Sequence, residues 1–390
     1  MNNYSDEVTQ ICSRGVWDNT VPGIHFDESG VSNYAHMFDK LAEAYPRGAK
    51  GKEEWDNLVK RIRKDGKGKK YDCVIGVSGG TDSCYLLHLA VKNGLRPLAV
   101  NLDNGWNSDI AVKNIKKVTK KLGIDLETYV INYEEMKDLL KAYLRSRLPW
   151  ADMPTDLAIK AVMYKMASKI GVRYVLRGND FRSEGTQPRE WTYGDARQLR
   201  YVQRTYGSVR LRTYPNYTIL NLIYFGVVKG IRSIYPFYYL DYNKKDAREF
   251  LQKEFGWEYY GGHHHENIFT KFVISYWLLF KFGIDKRKIS YSSQILSGAI
   301  SREEVLEILK TNPNTDEEYA QLIAYVIKKL DMPEDEYKTI MNSSNKSYLD
   351  YPSYYPLFHI FTKVARIFSG LLFIHKPMMF FQLDMRKKDD

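Results

Sequence analysis

Cysteine is scarce in this chain. Only Cys12, Cys73 and Cys84 occur, and none stands in C-x-x-C spacing. That excludes a disulfide framework and a cysteine-rich zinc site, and it fits a reducing compartment. No stretch of 18 or more apolar residues appears, and the opening MNNYSDEVTQICSRG lacks a basic start followed by an apolar stretch. Neither a membrane span nor a secretory signal is therefore expected, and the cytoplasm is the expected location. Two nucleotide fingerprints are also missing. Without G-x-x-x-x-G-K-S/T there is no lysine for γ-phosphate transfer of the P-loop kind, and without G-x-G-x-x-G there is no dinucleotide turn. Repeats and low-complexity segments are lacking too.

What is present is a chain of 390 residues with 44% hydrophobic content, enough for one α/β nucleotide domain and a large helical extension. Lys and Arg number 58 against 47 Asp and Glu, a net charge of +11. The excess favours anionic partners: nucleotides, nucleotide-sugars, nucleic acid or an anionic membrane face. Charge alone does not choose among them.

Residues 1–70 read as a lead-in, with turn signals at Pro22-Gly23 and Glu28-Ser29-Gly30 and then a basic helix-like stretch running to the GKGKK turn. From Tyr71 the texture changes. YDCVIGV is a short apolar strand, DSCYLLHLAVKNG a helix ending at glycine, PLAVNL a second strand, IAVKNIKKVTKKLG a second helix and LETYVI a third strand. VRYVLRG (Val172 to Gly178) reads as a further strand. Strands alternating with helices of this length predict βαβ units and a parallel sheet over residues 71–185, with ligands beyond the carboxyl ends of the strands. Residues 186–346 turn Tyr- and Arg-rich and then mainly helical, clearest in NIFTKFVISYWLLFKFG and REEVLEILK, and 347–390 form an aromatic and basic tail.

The chemistry is written at Ser78-Gly79-Gly80-Thr81-Asp82-Ser83, between the first strand and its helix. Two glycines let the backbone turn tightly and bring N–H groups against phosphate oxygens, and the helix N-terminus adds unpaired N–H groups and a favourable dipole. Hydroxyls of Ser78, Thr81 and Ser83 extend the cradle, and Asp82 makes sense there if it helps to hold Mg²⁺. The bland alternative is a Gly-Gly turn with ordinary helix caps. These residues resemble the PP-loop ATP pyrophosphatases, in which such a loop holds the pyrophosphate of ATP while the substrate is adenylated.

The resemblance extends over nearly the whole chain to the bacterial N-acetyl sugar amidotransferases of surface-polysaccharide (LPS O-antigen) and nonulosonate biosynthesis. It is carried by PGIHFDESGV, VSGGTDSCYLLHLA, VNLDNGWNS, LRGNDFRSEG, YYGGHHHENIFTKF, KFGIDKRKISYSSQILSGAISREE and YPSYYPLF. In that family ATP activates a sugar acetamido group and ammonia converts it to an acetamidino group. The resemblance implies a parallel-sheet PP-loop domain with a mainly helical C-terminal extension, using ATP and Mg²⁺. It assigns ATP contacts to Asp103, Asn104, Gly178 and Asn179 beside the loop, and substrate contacts to Asn107, Asp180, Arg182, His264 and His265. Asx-rich turns are the competing reading at several of these.

Glu266 is a candidate general base towards ammonia, with His265 and Glu266 capping the helix near Asn267, while Lys286 and Arg287 are candidates to neutralise departing pyrophosphate. Arg177 and Arg189 flank the same side as Arg182 and suit bidentate phosphate contacts. A His263–His265 metal site is disfavoured because adjacent residues point apart. Where relatives carry two C-x-x-C pairs, this chain reads Cys12, Gly15, Ser32 and Ala35, so structural zinc is expected to be lost from a degenerate ribbon.

A glutaminase needs a nucleophilic cysteine near a histidine, and none is evident. The expected partners are a separate glutaminase, with or without a tunnel-forming cyclase-like subunit, and a nucleotide-linked acetamido sugar rather than nucleic acid. Pro356 to Gln382 is too interrupted to span a bilayer and is expected to dock on protein, ahead of peripheral membrane contact. The competing functions are a tRNA-modifying PP-loop enzyme, which the charge and the stretch YVQRTYGSVRLRTYPNY would suit, and a nucleotide-binding scaffold without turnover.

Overall fold

The computed structural model describes residues 8–262 and 265–357. His263, His264 and nearly all of the expected docking segment at Pro356–Gln382 lie outside them. Five strands form one sheet: β1 (Cys73–Gly76), β2 (Pro97–Asp103), β3 (Leu126–Val130), β4 (Tyr174–Leu176) and β5 (Arg232–Ile234). Their order is β3-β2-β1-β4-β5 and every pairing is parallel. The α/β parallel-sheet class is therefore the fold of this chain. β5 is an addition that the sequence pattern did not signal, being three residues long.

Side chains alternate across a strand, so each strand feeds two cores. Cys73, Ile75 and Val77 enter one apolar cluster with Ala99, Tyr174 and Leu176. Val74 enters the other with Leu98, Val100, Leu102 and Val175. The first cluster is closed by α1 (Asn33–Ala44), α2 (Gly48–Asp65), α3 (Thr81–Lys92) and α4 (Asp109–Leu122). The second is closed by α5 (Tyr133–Ser146), α6 (Met153–Lys169) and later helices that include Asp316–Leu330. Both faces being covered is what makes an all-parallel sheet stable.

Local chemistry sets the helix ends. Ser108 accepts from the Ala111 amide at 3.2 Å to start α4, and Gly123 ends it in the left-handed region at φ 63°. The expected helix across NIFTKFVISYWLLFKFG is Ile268–Phe272 followed by π-helical winding over Val273–Lys281. Tertiary bonds accompany that wider winding: Trp277 Nε1 donates to the Leu148 carbonyl, and Lys281 Nζ to those of Ile340 and Ser343. The N-terminal cap is Asn267, which accepts from Thr270 N, rather than His265 or Glu266.

The start of the chain is bound to the helical part. Val16 N donates to Ser292 Oγ at 2.9 Å, Arg302 donates to the Gly15 and Cys12 carbonyls, and Lys288 pairs with Asp18 at 2.5 Å. Ser32 N donates to the Cys12 sulfur at 3.3 Å, and the Ser32 hydroxyl caps α1. Among the described residues no helix is long and apolar enough to cross a membrane.

Candidate active site

The strand order reverses between β1 and β4, where the chain leaves β1 for β2 on one side and returns as β4 on the other. Open α/β sheets bind ligands at the carboxyl ends of such neighbours. A cleft of about 600 Å³ lies there, lined by Ser78, Gly80, Asp82 and Ser83 after β1, by Gly178 and Asn179 after β4, and by Lys244, Tyr260, Glu266 and Lys286 from later segments.

The loop after β1 is held so that its carbonyl faces protein. Gly79 O accepts from Trp257 Nε1 at 2.9 Å and from Asn114 Nδ2 at 3.4 Å. Gly79 has φ +84°, and a Cβ there would run into the Ala111 carbonyl oxygen, so glycine is required on two counts. Gly80 is the N-cap of α3 and has no side chain to cap it, and the Thr81 amide donates to the Tyr260 hydroxyl at 3.3 Å. A Cβ on Gly80 would stand 2.9 Å from the Tyr260 hydroxyl and 3.1 Å from Glu266 Oε1, so only glycine fits without moving them. A helix N-terminus whose cap residue brings no side chain favours an anion in front of it. Ser78 Oγ donates to Glu266 Oε1 at 3.0 Å, and the Ser83 hydroxyl accepts from Ser78 N at 3.2 Å.

Asp82 carries the electrostatics. Its carboxylate accepts from Lys244 Nζ at 2.9 Å and from the Tyr242 hydroxyl, and side-chain exposures of 25% and 18% for Lys244 and Asp82 leave the pair only partly screened. Burial acts to lower the Lys244 ammonium, but Asp82 and Glu184 outweigh it and hold its pKa above the usual lysine value. Burial together with Asp82 pushes the Tyr242 phenol well up. Among the described residues no group of three His, Cys, Asp or Glu gathers that could hold a metal. Mg²⁺ rarely needs one: a carboxylate such as Asp82 with nucleotide phosphates suits it.

Of the other expected residues, Asn104 and Asn107 line the cleft. Asn104 is buried, its amide donating to Thr155 Oγ1 and its oxygen accepting from Asn267. Four residues are turned elsewhere. Asp103 closes an Asx turn by accepting from Gly105 N at 2.9 Å. Asp180 caps the short helix α7 (Phe181–Glu184) and pairs with Arg47 at 3.0 Å, where burial pushes its carboxyl up to about 6 against the pull of Arg47. Arg182 is buried and donates to the Tyr238 and Tyr45 carbonyls. Arg287 is held by Asp285 and the Thr311 carbonyl. These four guanidinium and carboxylate groups are already satisfied by the fold, which composition could not reveal. His265 packs its ring over Gly262 instead of facing the cleft, and Arg189 donates to the Tyr355 hydroxyl at 3.0 Å.

Lys244, Tyr242 and Tyr260 are the residues that sequence reading missed. Lys244 stands 162 positions from Asp82. Only its place beside the Asn243 cap of helix Lys244–Phe255 was legible in advance. All three cysteines are buried, and burial pushes the Cys84 thiol up to about 12.

Strand, glycine loop and helix stand at the reversal point of a parallel sheet, an arrangement in which a glycine turn and a helix N-terminus can receive phosphate. Residues 266–365 match the family described as LPS biosynthesis protein WbpG-like, C-terminal domain. The chain is 29% identical over 137 residues, 35% of its length, to an uncharacterized protein of Methanocaldococcus jannaschii, covering 47% of that protein. It is 32% identical over 72 residues, 18% of its length, to a tRNA(Ile)-lysidine synthase of Chlamydia pneumoniae, covering 22% of it. The chain thus spans less than half the length of these curated relatives. Among solved structures it is similar to the U34-tRNA thiolase of Methanococcus maripaludis at 13% identity and a TM-score of 0.29, over 77% of this chain and 88% of that one.

Proposed function

We propose that this protein is an ATP-dependent amidotransferase that converts the acetamido group of a nucleotide-linked sugar to an acetamidino group. One observation carries the reading. The segment matching the WbpG-like family supplies Glu266, Asn267, Thr270 and Lys286 to the same cleft as the phosphate loop.

An amide is a poor electrophile, so its oxygen must first become part of a leaving group. The acetamido oxygen attacks the α-phosphorus of ATP, and the bond to the bridging oxygen breaks to release pyrophosphate. Loop N–H groups and Lys244 face the charge that develops on the phosphates. Asp82 is the carboxylate that would hold Mg²⁺ here, and the ion would supply further neutralisation of that charge. Ammonia then adds to the activated carbon, AMP departs, and Glu266, within 3.0 Å of Ser78 Oγ, is placed to take a proton from the incoming nitrogen. The product differs from the substrate by exchange of oxygen for NH and is cationic at neutral pH.

The three buried thiols offer no thiolate to release ammonia from glutamine, so a separate glutaminase would supply it. A second reading is favoured by the match to a tRNA-modifying enzyme and by the +11 charge: adenylation of a tRNA base in the same cleft. The two separate in one assay. Purified chain with MgATP and ammonium at alkaline pH is offered UDP- and CMP-linked acetamido sugars or bulk tRNA, and AMP is measured. Sugar-dependent AMP with a product about one mass unit lighter supports the amidotransferase. AMP that appears only with tRNA sinks it.

A further inference from the structure

We propose that the cleft holds a second anion subsite, formed by Lys160 of α6, Arg177 at the end of β4 and Lys286 before the helix Arg287–Leu296. It takes the phosphate or diphosphate group of the acceptor substrate, and it rests on the reading that the loop itself takes ATP.

All three line the cleft that contains Ser78 and Gly80. Among the described residues, none of the three has a carboxylate within ion-pair distance, unlike Lys244 with Asp82, Lys288 with Asp18 and Arg287 with Asp285. Their surroundings are aromatic instead. The Lys160 ammonium stands 4.5 Å from the Tyr217 ring centre and the Lys286 ammonium 4.1 Å from that of Trp150. Aromatic faces orient a cation but do not neutralise it. Arg177 Nε is enclosed with no hydrogen-bond acceptor.

The nearby acids are engaged elsewhere. Asp156 accepts from Trp150 Nε1 at 2.6 Å, Asp152 from Thr270 Oγ1 at 2.5 Å and Glu184 from Asn179 at 3.0 Å. Burial draws both lysines down to about 8, for Lys160 with help from Arg177 and for Lys286 against the pull of Asp156, Glu184 and Asp152. One guanidinium fork and two ammonium groups suit the two or three charges of a diphosphate. Holding one anion on the loop and another at this subsite would leave the acceptor's reacting group between them.

Calorimetry with the full chain tests this. The loop is first saturated with magnesium and the non-hydrolysable α,β-methylene-ATP, and UDP is then titrated as the diphosphate probe. UDP should bind in addition to the analogue. Lys160→Met and Lys286→Met should each weaken UDP by about tenfold or more while the analogue's affinity moves by less than about threefold. At pH 8.5, UDP binding should also take up protons in the wild type, and less so in the variants. Displacement of the analogue by UDP, or unchanged UDP affinity in the doubly substituted chain, overturns the subsite. If the analogue does not bind at all, the reading of the loop fails. UDP binding that is lost in the variants would still support the second subsite. Circular dichroism of each variant confirms the fold.

Discussion

Lys244→Met removes the ammonium that, among the described residues, pairs with Asp82 of the loop, while keeping most of the side chain's volume. In the ligand-free protein it leaves Asp82 with the Tyr242 hydroxyl as its remaining partner from that region. At 2.9 Å and an effective dielectric near 20 the Coulomb attraction is about 6 kcal/mol, but desolvation of both ions offsets most of it. With the pair a fifth to a quarter exposed, a net loss of about 2 kcal/mol is expected, a fall in Tm of roughly 2–3 °C for a chain of this size.

Asp82→Asn should cost a similar amount, because it strands the ammonium. The double variant should cost clearly less than the sum, by about 1 kcal/mol or more. On catalysis the loss is larger, since the cation is placed to meet charge that grows during phosphate departure. ATP–pyrophosphate exchange should drop by about 10²–10³-fold, or about 2.7–4 kcal/mol. Thermal unfolding and exchange kinetics on the four proteins read both. Additive stability changes together with exchange in Lys244→Met within about threefold of wild type would refute the assignment.

Gly79→Ala should abolish nucleotide binding and lower stability by at least about 1–3 kcal/mol, measured by titration of an ATP analogue and by thermal unfolding, because φ +84° and the Ala111 carbonyl both oppose a Cβ. Native protein at pH 8 should show almost no reactive thiol with a disulfide reagent, and three in denaturant, since Cys12, Cys73 and Cys84 are buried. Asp180, held up at about 6 by burial, binds its proton more tightly folded than unfolded, so its contribution to stability falls as pH rises from about 4 to 6. Asp180→Asn should flatten that part of the stability profile by about 1–3 kcal/mol, and an unchanged slope in urea melts across that window would contradict the assignment.

The phosphate loop was legible because its parts are contiguous: apolar strand, two glycines, hydroxyls and helix follow one another without a gap. The alternation of Cys73, Val74, Ile75 and Val77 likewise announces a strand buried on both faces. The rest of the cleft was not legible because its groups arrive from afar. Nothing near Lys244, in a run of tyrosines and lysines, marks it off from Lys245, and the distinction comes only from packing. The same holds for arginines. Arg177 and Arg182 are five positions apart in one motif, yet Arg182 is consumed by two backbone carbonyls and Arg177 opens onto the cleft. Asp103 and Asn104 illustrate it again, one closing its own turn and the other bridging to Asn267.

The turn of Gly79 is fastened by Trp257, and Ser108 N meets the Glu266 carbonyl at 2.9 Å, so the loop side of the cleft is held by chain that emerges some 180 residues after the loop. During synthesis β1 to β4 can pair well before that stitch arrives. A nascent chain stopped near residue 255 would own the glycines and the uncapped helix, but neither Trp257 to anchor the loop nor Tyr260 and Glu266 to face it. The competence to handle nucleotide would then switch on late in translation, in a single step.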